Sequence, residues 1–229
     1  MALNKSKGNM YGFVTHTWNT VKGVCPHGCG YCYMKGMAKR FCKSQSPVHF
    51  DEKELKTNLG EGNFIFVGSS NDLFANFHPN DWICDTLGHC SIYDKNRYLF
   101  QSKNPRRIYN FNKFKCFKNS IVGTTIETNR LNQYMGNAPH PAERSFYLRK
   151  INQLGIDTFV TVEPIMDFDL SDLLKLIKNV NPIQVNIGAD SGHNLLPEPT
   201  KEKVMELISA LDEFTIVKRK PNLSRILKS

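Results

Sequence analysis

Two neighbouring stretches, Gly12-Phe-Val-Thr-His-Thr-Trp18 and Cys25-Pro-His-Gly-Cys-Gly-Tyr-Cys32, decide how the chain reads. The first is a short β-rich run. The second places three thiols in one tight loop, and Tyr33 to Phe41 behind it reads as a helix. Three thiolates from one loop can bind three irons of a cubane cluster, with glycines letting the backbone wrap around it. The fourth iron would then lack a protein ligand and be open to a small molecule. The same cysteines could instead join His27 or His16 in a structural zinc site, or remain free thiols. Zinc sites more often use two separated C-x2-C or Cys/His pairs, and no second pair is evident in the sequence.

Outward from this loop, short apolar β-rich runs recur at Phe64 to Ser70, Tyr98 to Lys103, Ile121 to Glu127, Thr158 to Glu163, Gln184 to Asp190 and Phe214 to Lys218. Helical periodicity lies between several of them. Ala142 to Leu154 puts Phe146, Leu148, Ile151 and Leu154 near one face, and Leu170 to Val180 and Thr200 to Leu211 behave similarly. Pro199 and Thr200 make a helix start and Gly155 a stop. Asn76 to Pro79 and Gly136 to Pro141 are loops, rich in breakers. Strands alternating with helices predict βα units around a mostly parallel sheet. Six or seven units are too few for a full eight-stranded barrel and fit a partial one, a single α/β domain over residues 1–229 with a basic segment at 214–229.

The C-x3-C-x2-C spacing after the first strand of a βα array resembles the radical SAM superfamily. That resemblance implies a partial (β/α)6 barrel and a 4Fe-4S cluster on Cys25, Cys29 and Cys32. The open iron would bind the amino and carboxylate groups of S-adenosyl-L-methionine, reductive cleavage would give a 5′-deoxyadenosyl radical, and an electron donor such as a flavodoxin or ferredoxin would be needed. Tyr31 matches the family's aromatic beside the last cysteine, near the adenine. Where the family commonly ends its second strand in Gly-Gly-Glu, this chain reads Gly68-Ser-Ser-Asn-Asp72. Such an ending is similar to the spore photoproduct lyase branch and small phage-encoded relatives, with Ser69, Ser70, Asn71 and Asp72 as acceptors for the cofactor.

In parallel βα folds ligands gather at the carboxyl ends of the strands. The later ends carry Gln101, Ser102 and Lys103, then Thr124 and Glu127, then Thr161 and Glu163, then Asp190. Glu127 is a candidate for the ribose hydroxyls, and Arg130 or Lys103 for the methionine carboxylate. Glu163 and Asp190 are candidate catalytic carboxylates, Glu163 for substrate contact or proton transfer. Each could also be a solvated strand terminator.

The 229 residues carry a net charge of +9, and no Asp or Glu falls in residues 1–50, 95–118 or 214–229. Such segregation suggests a basic face for a polyanion, a nucleic acid or nucleotide substrate being the obvious candidate; a solvated lysine-rich surface would look the same. In 95–118 the basic residues Lys95, Arg97, Lys103, Arg106, Arg107, Lys113, Lys115 and Lys118 form a run without local acids. Seven cysteines, three clustered and four scattered, do not make a secreted disulfide framework. No stretch of eighteen apolar residues or signal-peptide pattern is present, so a cytoplasmic location without membrane association is expected. Two other functions stay open: a radical maturase of a peptide or protein, and a zinc-stabilised nucleic-acid-binding module without catalysis.

Overall fold

The computed structural model describes residues 3–6, 11–40 and 46–228. Phe41, the far end of the helix expected behind the cysteines, and Cys42 lie outside the described residues. The strands are β1 (Asn4–Lys5), β2 (His16–Trp18), β3 (Val21–Lys22), β4 (His49–Phe50), β5 (Phe64–Val67), β6 (Arg97–Gln101), β7 (Ser120–Thr125), β8 (Asp157–Val162), β9 (Gln184–Ile187) and β10 (Ile216–Arg219). The helices are α1 (Tyr33–Arg40), α2 (Asn80–Ile92), α3 (Pro105–Asn110), α4 (Pro141–Asn152), α5 (Leu170–Val180), α6 (Lys201–Asp212) and α7 (Ser224–Leu227).

The main sheet has the order β1-β2-β5-β6-β7-β8-β9-β10, parallel throughout except for the antiparallel edge β1. Each step from β2 to β10 passes through a helix, from α1 to α6 in chain order. This is the expected partial (β/α)6 arrangement, with β10 as a further strand. The small β3–β4 ribbon, absent from the sequence reading, is spliced around the cysteine loop and α1.

Strand periodicity of two sorts the side chains onto the two faces. Ile65, Val67, Tyr98, Phe100, Val122, Val160 and Val162 point outward, into the large core shared with the helices. Phe64, Phe66, Leu99, Ile121 and Phe159 point inward, where Tyr11 and Val14 from the segment before β2 fill the space with them. The interior is tight at Gly123, where a Cβ would stand 2.1 Å from the Phe159 ring.

Local signals place the helices. The hydroxyl of Thr200 accepts from Lys203 N at 3.4 Å and starts α6, whose Val204, Leu207, Ile208 and Leu211 are buried. Gly155, at φ +80°, turns the chain after α4. The buried face of α4 differs from the expected one: Leu148 and Ile151 are inside, but Phe146 and Leu154 are about half exposed, and Arg144 and Ser145 are buried instead. Those two polar groups are hydrogen-bonded into the core, so the stripe is set by partners rather than by hydrophobicity alone. No helix among the described residues is long and apolar enough to cross a membrane.

Candidate active site

The strand ends of the inner face and the cysteine loop enclose one cavity of about 570 Å³. Cys25, Cys29, Tyr31 and Cys32 line one wall with Tyr33, Met34 and Lys35 at the start of α1. Gln101, Thr125, Thr161, Glu163 and Phe66 line the same cavity. These residues share the inward parity of Leu99, Ile121, Phe159 and Phe64, which is why the strand ends deliver them to one place. Thr124 has the other parity. It faces outward, and its hydroxyl donates to Ser102 O at 2.7 Å, so Thr125 and not Thr124 reaches the cavity.

The turn after β5 completes the cysteine wall. Gly68 begins it at φ +77°, and Ser69, Ser70, Asn71 and Asp72 all line the cavity. Asn19 Oδ1 accepts from Ser70 N at 2.9 Å and from Ser69 Oγ at 3.2 Å. The Asn71 amide donates to Gly23 O at 3.0 Å, joining this turn to the stretch before Cys25. Asp72 is the most committed of the four. It accepts from Lys103 N at 2.8 Å and Phe74 N at 3.0 Å, and lies 2.8 Å from His27 Nε2 in the cysteine loop. Burial alone would raise its carboxyl, but the His27 ring and these donors outweigh it and hold the group at about 2.

Lys103 and Tyr31 are stacked across the cavity wall, with the ammonium 5.1 Å from the ring centroid. Behind them Glu127 is fully buried and does not line the cavity. It accepts from the Tyr31 hydroxyl and from Arg144 Nη1 at 2.8 Å, and lies 3.5 Å from Lys103 Nζ. Burial opposes its ionisation; the Arg144 and Lys103 charges prevail and keep its carboxyl at about 2. Glu127 is therefore not presented to a ribose. Arg130 also lies elsewhere, on the surface between Asp167 and Asp169. Asp190 organises its own loop, accepting from Gly192 N and the Asn194 amide; its neighbour Ser191 lines the cavity. Glu163 does reach the cavity, held from behind by Lys220 and by Asn222 Nδ2 at 2.9 Å. Gly188 leaves room for it, since a Cβ there would stand 2.6 Å from Glu163 Oε1.

The sequence reading missed Arg144 and Tyr11. Arg144 sits on a helix face that apolar periodicity cannot flag. Tyr11 lies between β1 and β2, just before the first apolar run of the sequence, yet its hydroxyl donates to Gln101 at 2.7 Å and lies 3.0 Å from Thr161 Oγ1.

The donor set suits an iron–sulfur cluster. Three thiols share the cavity wall, and Gly28 at φ +64° gives the loop its turn. His27 Nε2 lies 2.8 Å from Asp72 and His16 Nδ1 2.9 Å from Thr15 Oγ1. Among the described residues no three His, Cys, Asp or Glu side chains gather on one point as a single metal ion would require. A cubane takes its thiolates on separate irons. Burial, and then the neighbouring Asp72 charge, push the Cys25 thiol up to about 11; burial likewise raises Cys29. Both would form thiolates with a metal's charge beside them.

The basic runs do not make one face. Lys95 pairs with Glu61 at 2.9 Å, Lys115 with Asp94, Arg219 with Asp212 at 3.8 Å and Arg225 with Glu198 at 2.5 Å. Arg97 opens β6, stacked on Phe64 at the end of the sheet away from the cysteines. Arg107 is spent on Ala75 O, His78 O and Asn80 Oδ1. Acids distant in sequence thus compensate much of the run.

A mostly parallel, open βα sheet with its cavity at the strand ends beside a three-cysteine loop is a fold shared with solved structures of spore photoproduct lyase. The solved structures it is similar to include a spore photoproduct lyase double mutant with bound AdoMet and dinucleoside spore photoproduct, at TM-score 0.64 and 10% identity over 94% of this chain and 78% of that one. Spore photoproduct lyase complexed with dinucleoside spore photoproduct gives TM-score 0.65 and 11% identity over 95% and 79%. The chain belongs to the family described as protein of unknown function (DUF5131), whose model matches residues 10–194. Comparison with curated protein sequences gives no match.

Proposed function

We propose that this protein is a radical S-adenosyl-L-methionine enzyme that modifies or repairs a nucleic-acid base or nucleotide. The observation that carries the reading is the shared cavity: Cys25, Cys29 and Cys32 face the same space as Ser69, Ser70, Gln101, Lys103 and Glu163. A binding module has no need for polar strand ends turned toward its cysteines. A bound 4Fe-4S cluster would supply the electron that cleaves the cofactor to a 5′-deoxyadenosyl radical.

The chain's own residues do the rest. Lys103 is poised at the cavity wall to take the methionine carboxylate. Ser69, Ser70 and Asn71 offer oxygens near the cysteines for its amino group. Tyr31 and Tyr33 offer ring faces toward the cavity for an adenine. Phe66 and Met34 add apolar lining, which keeps a reactive intermediate from water. Glu163 presents its carboxylate to the same cavity, where a substrate would meet it.

For the substrate, the support is the acid-free stretch 1–50 that supplies the cysteine wall, and the dinucleoside bound by the similar lyase. The test is anaerobic reconstitution followed by assay of 5′-deoxyadenosine, alone and with DNA, RNA or nucleotides. Substrate-free cleavage is expected to be slow and to rise with a nucleic-acid ligand, whose binding weakens with salt. A loaded, reduced protein that neither binds nor cleaves the cofactor refutes the radical reading. Cleavage without any response to DNA, RNA or nucleotides refutes the substrate class and directs the search to peptides.

A further inference from the structure

The connection from β7 to α4 carries the loop Gly136 to Pro141 (GNAPHP), for which the sequence suggests no role. In the fold it embraces the cysteine loop. Gly30 N donates to Tyr134 O at 2.8 Å, Asn137 N to His27 O at 2.7 Å, and the Asn137 amide to Pro26 O at 3.2 Å. The Cys29 thiol points to Met135 O at 3.4 Å. Gly136, at φ +58°, lies so close beneath that a Cβ would stand 2.2 Å from His27 O and 3.2 Å from Cys29 N. Only glycine fits both the conformation and the space.

The same connection anchors the loop's other end. Tyr31, between the second and third cysteines, donates its hydroxyl to Glu127. Arg144 holds Glu127 at 2.8 Å, and it also donates to Thr125 O at 2.9 Å and Pro139 O at 2.6 Å, tying the end of β7 to the embracing loop. Lys103 Nζ stands 3.5 Å from the same carboxylate and 5.1 Å from the Tyr31 ring centroid.

We propose that the β7–α4 connection is the receiving half of the cluster cradle: Gly136 docks the backbone of residues 27–29, and Glu127 with Arg144 docks Tyr31. Residues that ligate nothing thereby fix where the three thiolates stand and what charge their cluster feels. The inference rests on the cluster reading above and gives Glu127 a positioning role instead of a ribose contact. Two cations, Lys103 and Arg144, against the one buried anion Glu127 leave a net positive charge where Tyr31 is held, and positive charge favours the reduced cluster.

The test compares the full chain with its G136A, Y31F and E127Q variants after anaerobic reconstitution. Iron per chain, resistance of the iron to a chelator, the electron paramagnetic resonance of the reduced cluster and its midpoint potential are measured. G136A is expected to lose most of its iron or to show an altered resonance. Y31F, which removes one hydroxyl and no charge, is expected to release iron several-fold faster with little change in potential. E127Q is expected to keep its cluster with the potential shifted upward, because the compensating anion is gone. A purely structural role for Glu127 would not move the potential. A wild-type cluster with all three variants indistinguishable from it overturns this inference alone; a wild type that takes up no cluster overturns the functional reading with it.

Discussion

Arg144→Met is the substitution that most sharply separates a buried polar anchor from ordinary packing. The guanidinium is fully buried and serves three acceptors: Glu127 Oε2, Thr125 O and Pro139 O. Methionine fills similar space but leaves Glu127 buried with only Tyr31 and Lys103, and two carbonyls without that donor. Breaking one partner of a buried ion pair costs about 3–5 kcal/mol. At roughly 2–4 °C per kcal/mol for a chain of this size, the melting temperature should fall by about 6–20 °C. Thermal and urea unfolding of the metal-free protein, followed by circular dichroism, reads this directly. A loss under about 1 kcal/mol would show that Arg144 does not hold this corner of the fold.

Cys25→Ala, Cys29→Ala and Cys32→Ala should each abolish retention of iron in a reconstituted sample, while Cys84→Ala and Cys116→Ala leave it nearly intact; equal loss from all five would refute the assignment. Acid should act through Asp72 and Glu127, whose folded carboxyls lie at about 2, below their ordinary 3.8 and 4.5. Their contribution is full above the ordinary values and is lost as pH falls from about 4.5 toward 2, so the urea midpoint of the metal-free protein should drop over that window and Glu127→Gln should flatten the drop. An equally steep curve for the variant would show that Glu127 does not carry this pH dependence. Gly123→Val should be destabilised by about 1–3 kcal/mol or more through overpacking against Phe159, and a native melting temperature would show that the barrel interior has room it is not credited with.

Much of the architecture was legible because strands buried on both faces leave near-continuous apolar runs. β5 to β9 each coincide with such a run, and α5 matches its predicted span, Leu170–Val180, because Leu173, Ile177 and Val180 make an unambiguous stripe. α2 escaped notice although Ile83, Thr86, Leu87 and Cys90 are buried at helical spacing. Two of those four are not strongly apolar, and Thr86 is satisfied inside by Trp82 O and Thr20 Oγ1. The cysteine loop and the polar strand ends were readable as types, but not which of two adjacent residues faces inward. Thr124 and Thr125 differ only in parity, and parity becomes fixed only once β7 is aligned with β6 and β8. Arg130 and Glu127 show the same limit from another side: a charged residue at a strand end has many partners available, and tertiary contact alone decided that one pairs outward with Asp167 and Asp169 and the other inward with Arg144.

On the proposed reading, three thiolates hold a cluster with one iron open to the cofactor. Electron paramagnetic resonance of the anaerobically reconstituted, reduced protein, recorded with and without S-adenosyl-L-methionine alongside iron and sulfide analysis, tests it most directly. About four irons and four sulfides per chain are expected, with a resonance that changes on adding the cofactor because the open iron gains ligands. A colourless protein that retains zinc, or a cluster whose resonance is indifferent to the cofactor, would contradict it.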